Sequence, residues 1–177
     1  MSIAKSLQGA KNRALGVMFE KSIDDACFAY EELGLAKIEK TPEPMRVLRN
    51  LGDGKYMACF TKAAQPDYKG VLKGGRSVCF EAKFTESDRM EQKRVTKEQT
   101  EALNGHAQLG AVCFVVCGFA DGHTYRVPWD VWADMKAWFG RLYVTQEDLK
   151  PFAVRSDLRV WFLDHIEQDQ KGGTEIE

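Results

Sequence analysis

Two stretches decide how this chain is read: Gln65-Pro66-Asp67-Tyr68-Lys69-Gly70 and, after Gly74-Gly75, Val78-Cys79-Phe80-Glu81-Ala82-Lys83. Side chains of a strand alternate between its two faces, so Val78, Phe80 and Ala82 are expected on one face, with Glu81 and Lys83 side by side on the other. Either charge would be costly to bury alone. If the turn at Pro66-Asp67 folds against that face, two oxygen donors and a cation converge. Asp67 and Glu81 are the hard ligands that Mg²⁺ favours, together with water and a substrate phosphate. A metal held there lowers the pKa of a bound water and neutralises charge on phosphoryl oxygens. Lys83 would orient that water or stabilise transition-state charge as a compact cation. This is a set suited to phosphodiester hydrolysis.

Outward from these stretches the chain reads as an α/β sandwich around a mixed sheet. Apolar residues recur at helical spacing from Leu15 through Met18, Phe19, Ile23, Cys27 and Tyr30 to Leu33, with Gly34 as the stop. Glu20 falls at the border of that stripe. Met45 to Arg49 and Lys55 to Phe60 flank Gly52-Asp53-Gly54 as a hairpin. Thr96 with Gln99 forms a capping box opening a helix to about Leu109. Ala111 to Cys117 is an apolar run, the mark of a strand buried on both faces. A turn at Asp121-Gly122 leads to a strand over Thr124 to Val127, and Trp129 to Phe139 is expected to be one helix. The first dozen residues are expected to be mobile.

The 177 residues suit one domain, expected over 1–167 with a flexible tail at 168–177. The five cysteines, Cys27, Cys59, Cys79, Cys113 and Cys117, are an odd and scattered set expected to stay reduced. In a strand the Cys113 and Cys117 thiols lie about 13 Å apart, too far to share a zinc ion. No run reaches the length of a membrane span and the opening lacks a secretory apolar stretch, so a cytoplasmic protein with no membrane partner is expected. A net charge of -1 hides a local positive field: residues 44 to 76 hold seven bases, Arg46, Arg49, Lys55, Lys62, Lys69, Lys73 and Arg76, against Asp53 and Asp67. Such a cluster suits phosphate tracking, although bases on hairpins also guard edge strands from aggregation.

Pro66-Asp67 followed by Glu81-Ala82-Lys83 resembles the PD-(D/E)xK nuclease pattern. With Gly16-x-x-Phe19-Glu20, Asp67-Tyr68-Lys69-Gly70, Gly74, Thr85, Gln99, Leu103 and the strand from Gly110 to Phe119, the chain is similar to the RecU-type Holliday junction resolvases from about Leu15 to His165. The resemblance implies a restriction-endonuclease-like mixed sheet flanked by helices, with a basic hairpin, here about 44–62, projecting as a stalk. It implies a catalytic core of Asp67, Glu81 and Lys83, with Glu20 completing the metal shell and Gln99 supporting the site. It also implies Mg²⁺, with Mn²⁺ able to substitute, and a homodimer that nicks a four-way DNA junction symmetrically during recombination and repair.

The departures are specific. Asn12-Arg13 lies two residues too early for the family's Asn-Arg-Gly, so no role passes to Arg13, and Glu98 stands where the family often has His. Set against the resemblance, a shorter stalk than in bacterial members and a form without the long basic N-terminal extension are expected, as in a phage or prophage member. Simpler roles remain open for two residues: Glu20 as an acid favoured by a helix dipole, and Gln99 as a cap, its two roles coexisting only if the side chain swings. Tyr56 and Met57 are candidates to wedge among unstacked bases. Two other readings stand beside the resolvase: a restriction-like or repair nuclease acting on duplex or flap DNA, and a non-catalytic protein that binds branched DNA.

Overall fold

The computed structural model describes residues 3–42, 44–60, 65–164 and 166. Its first helix, α1 (Ile3–Glu32), begins well before Leu15, so the segment expected to be mobile is helical from Ile3. Ala4, Leu7, Gln8, Ala10, Lys11 and Arg13 are strong helix formers and extend a helix without needing an apolar stripe. At the other end Gly34 adopts a φ of 64°, its N–H donating to Glu31 O at 2.9 Å while the Leu35 N–H donates to Tyr30 O at 2.9 Å. This is a Schellman closure.

The chain continues as β1 (Ala36–Lys40), a hairpin of β2 (Met45–Gly52) and β3 (Lys55–Phe60), then β4 (Tyr68–Leu72), β5 (Ser77–Thr85) and β6 (Arg89–Glu91). Helix α2 (Lys97–Gln108), β7 (Val112–Phe119) and β8 (Thr124–Pro128) follow, then α3 (Trp129–Ala133), α4 (Met135–Phe139), β9 (Tyr143–Thr145) and α5 (Gln146–Leu149). The main sheet has the order β1-β4-β5-β7-β8. Only β5 and β7 run parallel; the other neighbours are antiparallel, which makes the mixed sheet expected. Strands β1 and β4 are additions to the sequence reading. They are five residues each, too short and too charged or glycine-broken to show a period. The helix expected over Trp129 to Phe139 is instead two helices separated at Asp134, whose φ of −109° and ψ of 43° leave the helical range.

Both faces of the sheet are covered. On one, Phe19, Ile23 and Tyr30 of α1 meet Tyr68, Phe80, Phe114 and Phe162. Tyr68, Phe80 and Phe114 stack in succession across β4, β5 and β7, with centroids 4.8 and 4.7 Å apart. On the other face Leu103 of α2 and Trp129 and Trp132 of α3 pack over Cys79, Cys113, Val115 and Cys117. Strand β7 is buried along its whole length, as its apolar run required. All five cysteines are free. Among the described residues no helix is long and apolar enough to cross a membrane.

Among the described residues the hairpin pairs only with itself. Its two-residue turn has φ of 49° at Asp53 and 73° at Gly54, and positive φ at both positions is what a type I′ turn needs. It leaves the sheet after β1 and returns before β4, where Thr41 N–H donates to Asp67 O at 2.8 Å. The hairpin is therefore rooted beside Asp67.

Two glycines permit the close approaches that bring the layers together. A Cβ on Gly70 would lie 2.1 Å from the Lys37 carbonyl oxygen, and one on Gly118 would lie 2.5 Å from the Phe19 ring. Gly118→Ala is expected to cost about 1–3 kcal/mol, the usual range for overpacking. Gly70→Ala should cost more, because a strand carbonyl cannot turn aside as a ring can. Denaturant unfolding of the two variants checks the order.

Candidate active site

The register of β4 against β5 assembles the site. Tyr68 is paired with Phe80, so continuing the antiparallel ladder by one residue sets Asp67 opposite Glu81 on the other face. Strand β4 begins at Tyr68 and offers no backbone acceptor for the Ala82 N–H. The Asp67 carboxylate takes that place, with Ala82 N–H donating to Oδ2 at 3.1 Å. Lys83 Nζ then donates to Asp67 Oδ2 at 3.1 Å and to Glu81 Oε2 at 2.7 Å. The three side chains expected to meet do meet, and the ammonium bridges the two carboxylates.

Glu81 is 0% exposed, and the Lys83 side chain only 13%. The face expected to carry them is thus covered by α2 rather than open to solvent. Gln99 of α2 donates from Nε2 to Glu81 Oε2 at 2.5 Å while its Oε1 accepts the Thr96 N–H at 3.1 Å. The orientation of this amide follows from chemistry: a backbone N–H can face only the oxygen, which turns the NH₂ toward the carboxylate. Capping the helix and holding the site are simultaneous acts of one side chain, and no swing between them is needed.

Burial, the largest influence, pushes the Glu81 carboxyl up to about 8 against the pull of Lys83, and nearby Asp67 adds to the rise. At Lys83 burial favours the neutral amine, but Asp67 and Glu81 together outweigh it and hold the ammonium above its usual range. Glu81 Oε1 is buried with no hydrogen-bond partner. A divalent cation fits this donor set: two hard carboxylates on one face, one with an oxygen that no N–H reaches. Among the described residues no group of three His, Cys, Asp or Glu side chains is gathered as a cation cage. The protein offers two carboxylates, and a hard divalent cation held by them would take the rest of its shell from water and phosphate.

Glu20 reaches the site's edge but does not join the pair. It lines a cavity of about 290 Å³ with Asp67, Tyr68 and Lys83, yet its carboxylate accepts from Lys40 Nζ at 2.6 Å. The helix is steered there by Tyr68, whose hydroxyl donates to Asp24 at 2.7 Å. Lys40 carries no motif, and nothing in the sequence reading marks it.

The expected basic surface divides. Arg46, Arg49 and Lys55 are exposed on the hairpin, together with Tyr56 and Met57. Lys73 and Arg76 flank the turn between β4 and β5, at the opposite end of β5 from Lys83 and about 20 Å away by strand rise. The Arg76 Nε–H donates to Gly110 O at 2.9 Å, and Lys69 Nζ to Gln65 Oε1 at 2.6 Å. Closeness in sequence misled here because an antiparallel pair carries its turn away from its open end. Lys62 and the tail 168–177 lie outside the described residues.

Residues 14–165 match the model of a family described as Recombination protein U. The chain belongs to that family. It is 34% identical over 120 residues to the Holliday junction resolvase RecU of Streptococcus gordonii, covering 64% of this chain and 60% of the relative. The RecU of Streptococcus sanguinis is 33% identical over 135 residues, covering 72% of this chain and 67% of the relative. A Holliday junction resolvase of Archaeoglobus fulgidus, Hjc, aligns with a TM-score of 0.47 at 14% identity, over 76% of this chain and 91% of that one.

The raised Glu81 carboxyl has a consequence for the metal-free protein. Between the ordinary 4.5 and about 8, the folded chain retains a proton that the unfolded chain has lost. Stability therefore falls as pH rises through that window. Thermal melts from about pH 5 to about pH 8 in EDTA should show a decline that Glu81→Gln flattens; equal slopes would refute the assignment.

Proposed function

We propose that this chain is a divalent-metal-dependent endodeoxyribonuclease that nicks four-way DNA junctions, acting as a homodimer on branched DNA in recombination and repair. The observation that carries this reading is the bridge of Lys83 between Glu81 of β5 and Asp67, the residue directly before β4. Membership of the Recombination protein U family and likeness to relatives named Holliday junction resolvases support the choice of substrate.

Asp67 and Glu81 would hold the cation, Mg²⁺ or in its place Mn²⁺, with Glu20, whose Oε2 accepts from Lys40, at the edge of the site. Bound there, the cation supplies a water of lowered pKa and neutralises charge on the phosphoryl oxygens. Lys83 is kept charged by its two neighbours and sets a point cation beside the reacting phosphate. Gln99 restrains the Glu81 carboxylate, so the ligand is oriented before metal or substrate arrives. The hairpin presents Arg46, Arg49 and Lys55 for phosphates and the exposed Tyr56 and Met57 for unstacked bases. A two-fold dimer matches a substrate needing two symmetric nicks.

A synthetic four-way junction should be nicked with Mg²⁺ and left intact in EDTA. Asp67→Asn and Lys83→Ala should each slow nicking about 100-fold or more while binding persists. Equal cutting of duplex or flap DNA would favour a restriction-like or repair nuclease, and tight junction binding without cleavage in Mg²⁺ or Mn²⁺ would favour a binding protein. Gln99→Glu should preserve the helix cap, since a carboxylate still accepts the Thr96 N–H, yet abolish nicking by facing Glu81 with a like charge. Helix content by circular dichroism alongside the cleavage rate separates the two effects.

A further inference from the structure

Beyond Lys83 the cleft widens into a cavity of about 510 Å³ walled by Arg13 and Glu20 of α1, by Lys83 and Thr85 of β5, and by Glu86 and Arg94. The commitments of these charges differ. Lys83 is held by Asp67 and Glu81, and Glu20 by Lys40. Arg94, at the end of the 3₁₀ turn Gln92–Arg94, is anchored instead on a neutral group: its Nη2 donates to the Phe84 carbonyl oxygen at 2.6 Å. That bond occupies one of five N–H donors and neutralises none of the charge. Phe84 directly follows Lys83, so the guanidinium is anchored on β5 one residue along the strand from the lysine. Arg94 is also exposed, and a planar fork of donors is matched to phosphate oxygens.

We infer that Arg94 is a phosphate-binding residue of the cleft, holding the phosphodiester next to the one being cleaved and so setting the register of the DNA strand over Asp67, Glu81 and Lys83. The inference rests on the nuclease reading above. Its anchor on β5 means that the fork is oriented before DNA arrives, and less ordering is required on binding. The basic stretch read from the sequence, residues 44 to 76, does not include it. Its place in the cleft comes from the turn after β6, which returns the chain to the end of β5.

The test compares wild type, Arg94→Ala, Arg94→Lys and Lys97→Ala, the last an exposed base outside this cavity paired with Glu101. Junction binding is titrated against salt in EDTA, cleavage kinetics are measured in Mg²⁺, and melting curves report folding. Arg94→Ala should lower kcat/KM about tenfold or more, chiefly through KM, as expected for losing hydrogen bonds to a charged group. It should also reduce the slope of log K against log salt by about 0.9, the contribution of one phosphate contact. Arg94→Lys should restore the slope but only part of kcat/KM, because the charge returns without the fork. Lys97→Ala should match wild type. A loss of kcat and melting temperature with the slope unchanged would mean that Arg94 only braces β5, and would overturn the inference. So would wild-type behaviour of Arg94→Ala. Failure of the wild-type protein itself to bind or cut DNA would instead remove the nuclease reading beneath it.

Discussion

A carboxylate shut away from water, that of Glu81, is the constraint around which the rest of the molecule is arranged. An isolated charge in such a place is costly by several kcal/mol, so the group must be met by a cation, by donors, or by a proton. The fold supplies all three in part. Lys83 brings the ammonium, Gln99 an N–H, and burial draws the carboxyl toward its protonated form near neutrality. One oxygen still has no partner. A site left electrostatically incomplete in this way is suited to a divalent cation, whose charge would settle both carboxylates at once.

The surrounding architecture holds three separate chain segments to that point. Gly118 makes room for the Phe19 ring, which lets α1 lie close enough for Glu20 to reach the cleft. Gly70 lets β1 approach β4, and the Thr41 N–H then holds the backbone of Asp67. Because the hairpin is inserted between β1 and β4, its base and the Asp67 acid share one anchoring region. The exposed basic hairpin and the Asp67 carboxylate are thereby positioned by the same short stretch of chain.

Much of this is legible in the amino-acid sequence. The alternation of Val78, Phe80 and Ala82 with Glu81 and Lys83 gave the correct faces, and the Asp53-Gly54 turn gave the hairpin. The position of Gln99 in a capping box also survived. What pattern could not convey was that a side chain with two polar ends can cap a helix and hold a carboxylate together. Likewise, Arg46 and Arg76 read as members of one basic surface. The antiparallel course of β4 and β5 carries Arg76 to the far end of the sheet.

The sequence by itself determined the local order: which residues form strand, turn and helix, which strand face carries the acid and the lysine, and which family motifs are present. Those properties depend on neighbours within a few positions, where alternation, helical period and turn chemistry act directly. Only the tertiary structure decided that Glu81 is fully buried, that Lys40 claims Glu20, and that Arg94 lines a cavity with Lys83. Each of these depends on how distant segments pack. Burial and ion pairing act through space, at distances that no spacing along the chain encodes.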